Sequence, residues 1–271
     1  MFILPALFAF VLVVLVPAVK GFYYSFTDWN GIGKNAVFVG ISNYGKLLSD
    51  SRFWNSFLFT FVFALCSVIC INAVGFGLAV LVTNKIKGAN LARTVFFMPN
   101  LIGGIVLGYV WQLLLNGILA HFQKTLTYSS KYGFWGLVIL MLWQQVGYMM
   151  IIYISGIQNI PGELIEAAQI DGANKVQLLR YVTIPMVMPS ITICLFLTVS
   201  NSFKLFDQNL ALTAGAPSKK TAMLALDIYN TFYGRSGFEG VGQAKAVLFF
   251  IVVAVIALGQ LVLTRRKEVE Q

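Results

Sequence analysis

Six apolar runs, each long enough to cross a lipid bilayer, constrain this chain more than any other feature of its sequence. They cover residues 3–26, 54–83, 94–116, 134–158, 183–205 and 243–264. A hydrocarbon layer about 30 Å thick is crossed by roughly 20 apolar residues in a helix. Backbone N–H and C=O groups find no water in that layer, so helices and closed barrels are the only structures that span it. The ten-residue alternating strands that build a barrel are not seen in the sequence. With 58% hydrophobic and 11% charged residues, the 271-residue chain lies well outside the range of soluble proteins. We therefore expect an all-α integral membrane protein, with residues 1–271 forming one transmembrane domain of six helices. The first run has no basic residues ahead of it, is too long for a signal sequence and has no small-x-small cleavage pattern, so it is read as span one.

The same composition removes several classes of function. A net charge of +9 would point to nucleic acid in a soluble protein, but here the basic residues are thinly spread along loops, with no array of arginines and aromatics for base stacking. Cys66, Cys70 and Cys194 all fall inside predicted spans, without metal-ligand or disulfide spacing, and are read as small apolar helix residues. His121, the single histidine, sits in a polar loop and is read as a solvated surface residue. Gly40-Ile-Ser-Asn-Tyr-Gly45-Lys46-Leu47 begins like a phosphate-binding loop, but Leu47 stands where a hydroxyl must hold magnesium. A chain so poor in paired nucleophiles, bases and metal ligands offers little from which to build a catalytic site. Gly104 and Gly108, four residues apart in span three, permit close helix approach, either within the chain or to another subunit.

Six spans place both termini on one face, and short basic loops identify which. Lys85, Lys87 and Arg93 crowd the connection between spans two and three, and Arg265, Arg266 and Lys267 follow span six. The other face has as many basic residues, diluted through the long loops 27–53 and 206–242, which the rule discounts. Both termini and the 84–93 and 159–182 loops are therefore assigned to the cytoplasm.

The 159–182 segment is the densest charged stretch. Pro161 suits the first turn of a helix, Glu163 and Glu166 lie near the positive end of its dipole, and Gly172 can take the left-handed conformation that ends it. Leu164, Ala167, Ala168 and Asp171 share one face. A second short helix is expected from Asn174 to Tyr181, with Pro185 and Pro189 setting the entry to span five. A helix this short is marginal alone and needs something to pack against.

Glu166-Ala167-Ala168, three residues, Gly172, nine residues and then Val182-Thr183-Ile184-Pro185 resembles the EAA loop of bacterial ABC importer permeases. Asp171 and Ala173 complete the form typical of the carbohydrate, maltose-type branch. Arg93 to Pro99, Phe206-Asp207, Thr213 to Pro217 and the Gly40 to Tyr44 element also resemble the family, so the likeness extends over nearly the whole chain. Ala216 stands where the family commonly has a second glycine.

The resemblance implies a type I importer permease in a prokaryotic plasma membrane, with Glu166, Ala167, Ala168, Asp171 and Gly172 forming a coupling helix that seats in a cytoplasmic ATPase. It implies a second, related permease subunit, two ATPase subunits that bind the ATP and magnesium, and an external solute-binding protein docking on the 27–53 and 206–242 side. No cofactor is assigned to this chain. Amides and aromatic faces suit sugars, and polar residues deep in a span are functional candidates. Span four offers Trp143, Gln144, Gln145 and Tyr148; span five offers Ser200, Asn201 and Lys204, with Ser200, Lys204 and Asp207 on one stripe if the helix is continuous. Tyr148 and Asn201 align best with the family's sugar contacts, while the alternative for all these groups is bonding between helices. If Asp207 does not neutralise Lys204, an acidic sugar or a sugar phosphate, such as a uronate oligosaccharide or glycerol phosphate, becomes the alternative cargo. A secondary transporter would need an inverted repeat and midplane ion ligands, which the sequence does not display.

Overall fold

The computed structural model describes residues 3–33, 36–83 and 88–266. Lys85, Lys87 and Lys267, used above to assign orientation, lie outside them. Among the described residues four helices are each long and apolar enough to cross as single rods: Leu4–Tyr24, Ser51–Thr83, Ser130–Gln158 and Glu239–Arg265. They correspond to the first, second, fourth and sixth expected spans. The first carries a widened turn at Val11–Leu15, just ahead of Pro17, which has no N–H to donate.

Spans three and five depart from expectation. Span three is a broken pair, Ala89–Leu101 and Gly104–Ala120, bent by 102°. Pro99 tightens Met98–Leu101 into a 3₁₀ turn, and Ile102 and Gly103 then adopt extended backbone. Span five is likewise Lys175–Met186 followed by Met188–Phe203 at 70°, with the break at Val187 between Pro185 and Pro189. Long apolar runs predicted unbroken helices, but prolines inside them removed the backbone donors on which continuity depends.

Contacts establish the order of crossing. Phe59 packs on Phe134 with ring centroids 5.7 Å apart, and Phe76 on Tyr153 at 5.4 Å, so spans two and four run parallel. The bent third span must therefore return across the layer between them. Span five runs back along span four: the Cys194 thiol donates to the Met149 carbonyl, and Asn201 Nδ2 donates to Gln145 Oε1. The core is built around span four, whose Leu137, Leu140, Met141, Met149 and Met150 are buried among spans two, three and five. Gly147 makes the tightest approach: a Cβ there would fall on the Phe96 carbonyl.

At the end where span two begins, Asn43 Nδ2 donates to the carbonyls of Ser25 (3.0 Å) and Thr27 (2.7 Å), and Tyr44 and Ser25 share a 2.8 Å hydroxyl bond. The Gly40 to Tyr44 element is thus a staple that binds the exit of span one to the start of span two. The 206–242 segment, expected to be a polar loop, holds the helices Asp207–Leu212 and Leu224–Gly234 and, between them, a turn with a buried base and an exposed tip at Ser218 to Lys220. In that turn Asn209 Nδ2 donates to the Thr221 carbonyl (2.8 Å), its Oδ1 accepts from Met223 N–H (2.9 Å), and Thr221 Oγ1 donates to the Ala216 carbonyl (2.7 Å). Buried polar groups need such partners, which makes this turn a structural unit.

Candidate coupling loop and translocation path

Two sites were anticipated, and the fold sets them apart. Helix Gly162–Ile170 follows directly on Pro161, with Glu163 in its first turn. Asp171 caps it and Gly172 reverses the chain at φ +81°, a conformation that favours glycine. The next helix starts at Asn174, whose Oδ1 accepts from Val176 N–H (3.0 Å) and Gln177 N–H (2.9 Å) while Gln177 Oε1 accepts from Asn174 N–H (2.8 Å). This reciprocal capping box fixes the bend. The helix expected to end at Tyr181 continues to Met186, through a widened turn at Leu179–Thr183 that accommodates Pro185.

The loop is anchored but uncovered. Ile160 is buried and Ile165 packs against the core, while Gly156 lets span four close on Ser190 and Val187 at the start of span five. Glu166, Ala167, Asp171 and Gly172 are exposed, and Ala168 is half-buried. Beside them Ile170 is 85% exposed, Val176 72% and Tyr181 68%. Two short helices, joined by a bend fixed at Gly172 and Asn174, thus present apolar side chains to the outside at the junction of spans four and five.

The polar residues of spans four and five divide into two groups. Gln144 is buried, with its Nε2 donating to the Ile102 carbonyl (3.3 Å) and its Oε1 accepting from Gln208 Nε2 (2.9 Å). It therefore satisfies the backbone group freed by the break in span three. Gln145 and Asn201 bond across spans four and five at 3.3 Å. Tyr148 is half-buried with its ring against Phe97, and Trp143 is exposed, edge-on to Trp111. Ser200 and Asn201 are half-buried, and Lys204 is exposed.

The stripe expected from Ser200 through Lys204 to Asp207 does not form. The helix ends at Phe203, Lys204 caps it, and the chain turns so that Leu205 enters the core and Phe206 packs on Tyr229. Asp207 opens a separate helix against Gly104, and among the described residues it makes no ion pair with Lys204. Gly104 and Gly108 serve packing within the chain: a Cβ on Gly104 would lie 2.8 Å from Asp207 Cβ, and one on Gly108 2.5 Å from Ala211 Cβ.

Sequence reasoning missed two further constellations. Tyr153 donates to Asn72 Oδ1 (2.6 Å), and Asn72 Nδ2 donates to Thr198 Oγ1 (2.9 Å), linking spans two, four and five. At the far end, fully buried Lys245 donates to Asp227 (2.6 Å), Thr231 (2.9 Å) and Asp50 (3.0 Å), and Arg235 also reaches Asp50 (3.2 Å). Burial pushes the Asp50 carboxyl up, but the Lys245 ammonium, the Arg52 backbone N–H and the Arg235 guanidinium together hold the group below the usual carboxylate range. Lys245 lies in an apolar run and its partners are distant in sequence, so its charge alone was the only available signal. Among the described residues no cluster of three or more His, Cys, Asp or Glu side chains is placed to hold a metal.

Residues 72–269 match the family described as binding-protein-dependent transport system inner membrane component. The chain is 48% identical to a Thermoanaerobacterium thermosulfurigenes protein described as the probable starch degradation products transport system permease AmyD, over 100% of this chain and 94% of that one. It is 33% identical to the multiple sugar-binding transport system permease MsmF of Streptococcus mutans, over 93% and 90% of the two chains. In fold it is similar to a crystal structure of a bacterial ABC transporter that imports the acidic polysaccharide alginate, with TM-score 0.81, 19% identity and coverage of 98% and 94%.

Proposed function

This chain belongs to the binding-protein-dependent transport system inner membrane component family, and from that premise we propose that it is one membrane half of an ATP-driven importer for a sugar or oligosaccharide. The observation that carries the reading is the exposed, sharply bent helix pair at 162–178, standing where spans four and five meet. Its apolar side chains need a partner surface. A cytoplasmic ATPase would seat Glu166, Ala167, Ala168, Asp171 and Gly172, and its closure would move the joined ends of spans four and five, giving alternating access. ATP and magnesium belong to two such ATPase subunits, and this chain is non-catalytic. A second, related permease would complete the path, and an external solute-binding protein would deliver the cargo to the opposite end. Both termini and the 159–182 loop then face the cytoplasm.

Relatives described as permeases for starch products and for multiple sugars support a carbohydrate cargo. The substrate path is proposed along Trp143, Gln144, Gln145, Tyr148, Ser200, Asn201 and Lys204. The Gln145–Asn201 pair is its most favourable element, since an amide pair at 3.3 Å can exchange its mutual bond for sugar hydroxyls. A second reading rests on exposed Lys204, which has no ion-pair partner among the described residues and favours an acidic sugar or sugar phosphate. One relative is described as an sn-glycerol-3-phosphate permease.

Reconstitution tests the proposal. Proteoliposomes holding this chain, its companion and both ATPases should accumulate labelled oligosaccharide only with ATP and the solute-binding protein present. Uptake that persists without any ATPase would sink the reading. Asn201→Ala should lower transport with assembly intact, and Lys204→Met should discriminate between neutral and acidic cargo.

A further inference from the structure

At the end of the bundle opposite the 162–178 helices lies a cavity of about 280 Å³ lined by Arg52, Ser218, Lys219, Lys220, Asp227 and Arg235. Its charge is unbalanced. Asp227 and Asp50 are engaged by Lys245 and Arg235, two carboxylates against two cations. Arg52, Lys219 and Lys220 are left over, and none of them forms an ion pair among the described residues. Among the described residues the Lys219 ammonium has only the Ala214 carbonyl, at 3.5 Å. All three side chains are exposed, and the backbone that carries Lys219 is held in place. Ser218 and Lys219 adopt consecutive left-handed conformations, φ 52° and 62°, which side chains other than glycine seldom take. Such a turn persists because its surroundings over-determine it. Here the buried Asn209 and Thr221 bonds close the loop on both sides.

Three uncompensated cations around a partly enclosed cavity make an anion site. Its lining comes from the turn and helix that cap the bundle and from the first turn of span two, rather than from the lipid-facing flanks of the spans. We propose that this cavity is a socket for a carboxylate side chain, glutamate or aspartate, of the solute-binding protein that docks on this end. The inference rests on the importer reading above. Charge pairing of this kind steers association and makes it salt-dependent.

The test uses the intact transporter in nanodiscs of zwitterionic phosphatidylcholine, with the sugar-loaded solute-binding protein of the same transport system as the probe. The quantity measured is the KM for binding protein in stimulated ATP hydrolysis, at low and high ionic strength. Lys219→Glu with Lys220→Glu should raise that KM about tenfold at low salt and flatten its salt dependence, as expected for reversed interfacial charges. Lys219→Arg with Lys220→Arg should keep both near wild type. An unchanged KM and salt slope in the glutamate variant overturns the socket. So does an effect that emerges only when anionic lipid is added, which would assign the cavity to a headgroup. If the wild-type transporter is not stimulated by the loaded protein at all, the importer reading itself fails and the socket falls with it.

Discussion

Replacing Gly108 by alanine tests the least expected part of the fold, the seating of helix Asp207–Leu212 against the bent third span. The new Cβ would lie 2.5 Å from Ala211 Cβ and 3.3 Å from the Gln208 carbonyl oxygen. Carbon atoms pack best about 3.5–4.0 Å apart, so the two helices must separate by at least about 1 Å or the substitution must strain both. Overpacking on this scale costs about 1–3 kcal/mol. Gly117 is the internal control, because a Cβ there meets nothing within 4 Å. Gly117→Ala should be neutral or stabilise by up to about 1 kcal/mol through helix propensity. Ala211→Gly removes the opposing methyl, so the pair Gly108→Ala with Ala211→Gly should recover at least about 1 kcal/mol relative to additivity. The assay is unfolding free energy in mixed detergent micelles across the four genotypes of the cycle, with Gly117→Ala beside them. Equal stability of Gly108→Ala and Gly117→Ala, or strict additivity of the pair, would refute the packing argument.

Further expectations concern the buried ion cluster. Lys245→Met leaves Asp227 and Asp50 facing each other without their shared cation and should destabilise by about 3–5 kcal/mol, with Asp227→Asn recovering part of the loss in the double variant; thermal unfolding of the purified complex measures both. Because the Asp50 carboxyl titrates below its ordinary range when folded, its contribution is fully present above the unfolded-state value near 3.8 and is lost as pH falls through the folded one. The stability gap between wild type and Asp50→Asn should therefore be flat from neutral pH to about 5 and shrink below about 4, as followed by unfolding midpoints across a pH series.

How legible these features were in the sequence depended on the range of the interactions behind them. Span existence follows from run length alone, because the bilayer permits no other solution. The bent helix pair at 162–178 was equally readable, since Pro161, Gly172 and the Asn174–Gln177 box act within a few residues of one another. The breaks at Ile102 and Val187 were signalled by Pro99, Pro185 and Pro189, but what makes them tolerable is distant. Gln144, 42 residues away in sequence, supplies the donor for Ile102. The sequence offered Gln144 only as a polar residue deep in a span and carried no sign that its amide also closes a backbone gap. Asn43 and Lys245 were opaque because their partners come from other elements: Asn43 reaches back 16 and 18 residues, and Lys245 reaches Asp50 across 195.

The importer reading depends most on whether the 162–178 helices transmit ATPase closure to spans four and five. The direct measurement is sugar taken up per ATP hydrolysed in proteoliposomes of the full complex, comparing wild type with Gly172→Val and Glu166→Lys. Gly172 sits at φ +81°, which a β-branched residue cannot adopt without strain, so valine should displace helix Gly162–Ile170 while the spans remain folded. The predicted result is uptake per ATP reduced at least about fivefold, the low end of a coupling free energy of about 1–3 kcal/mol. A wild-type ratio in both variants, with the ATPase still bound, would contradict the account.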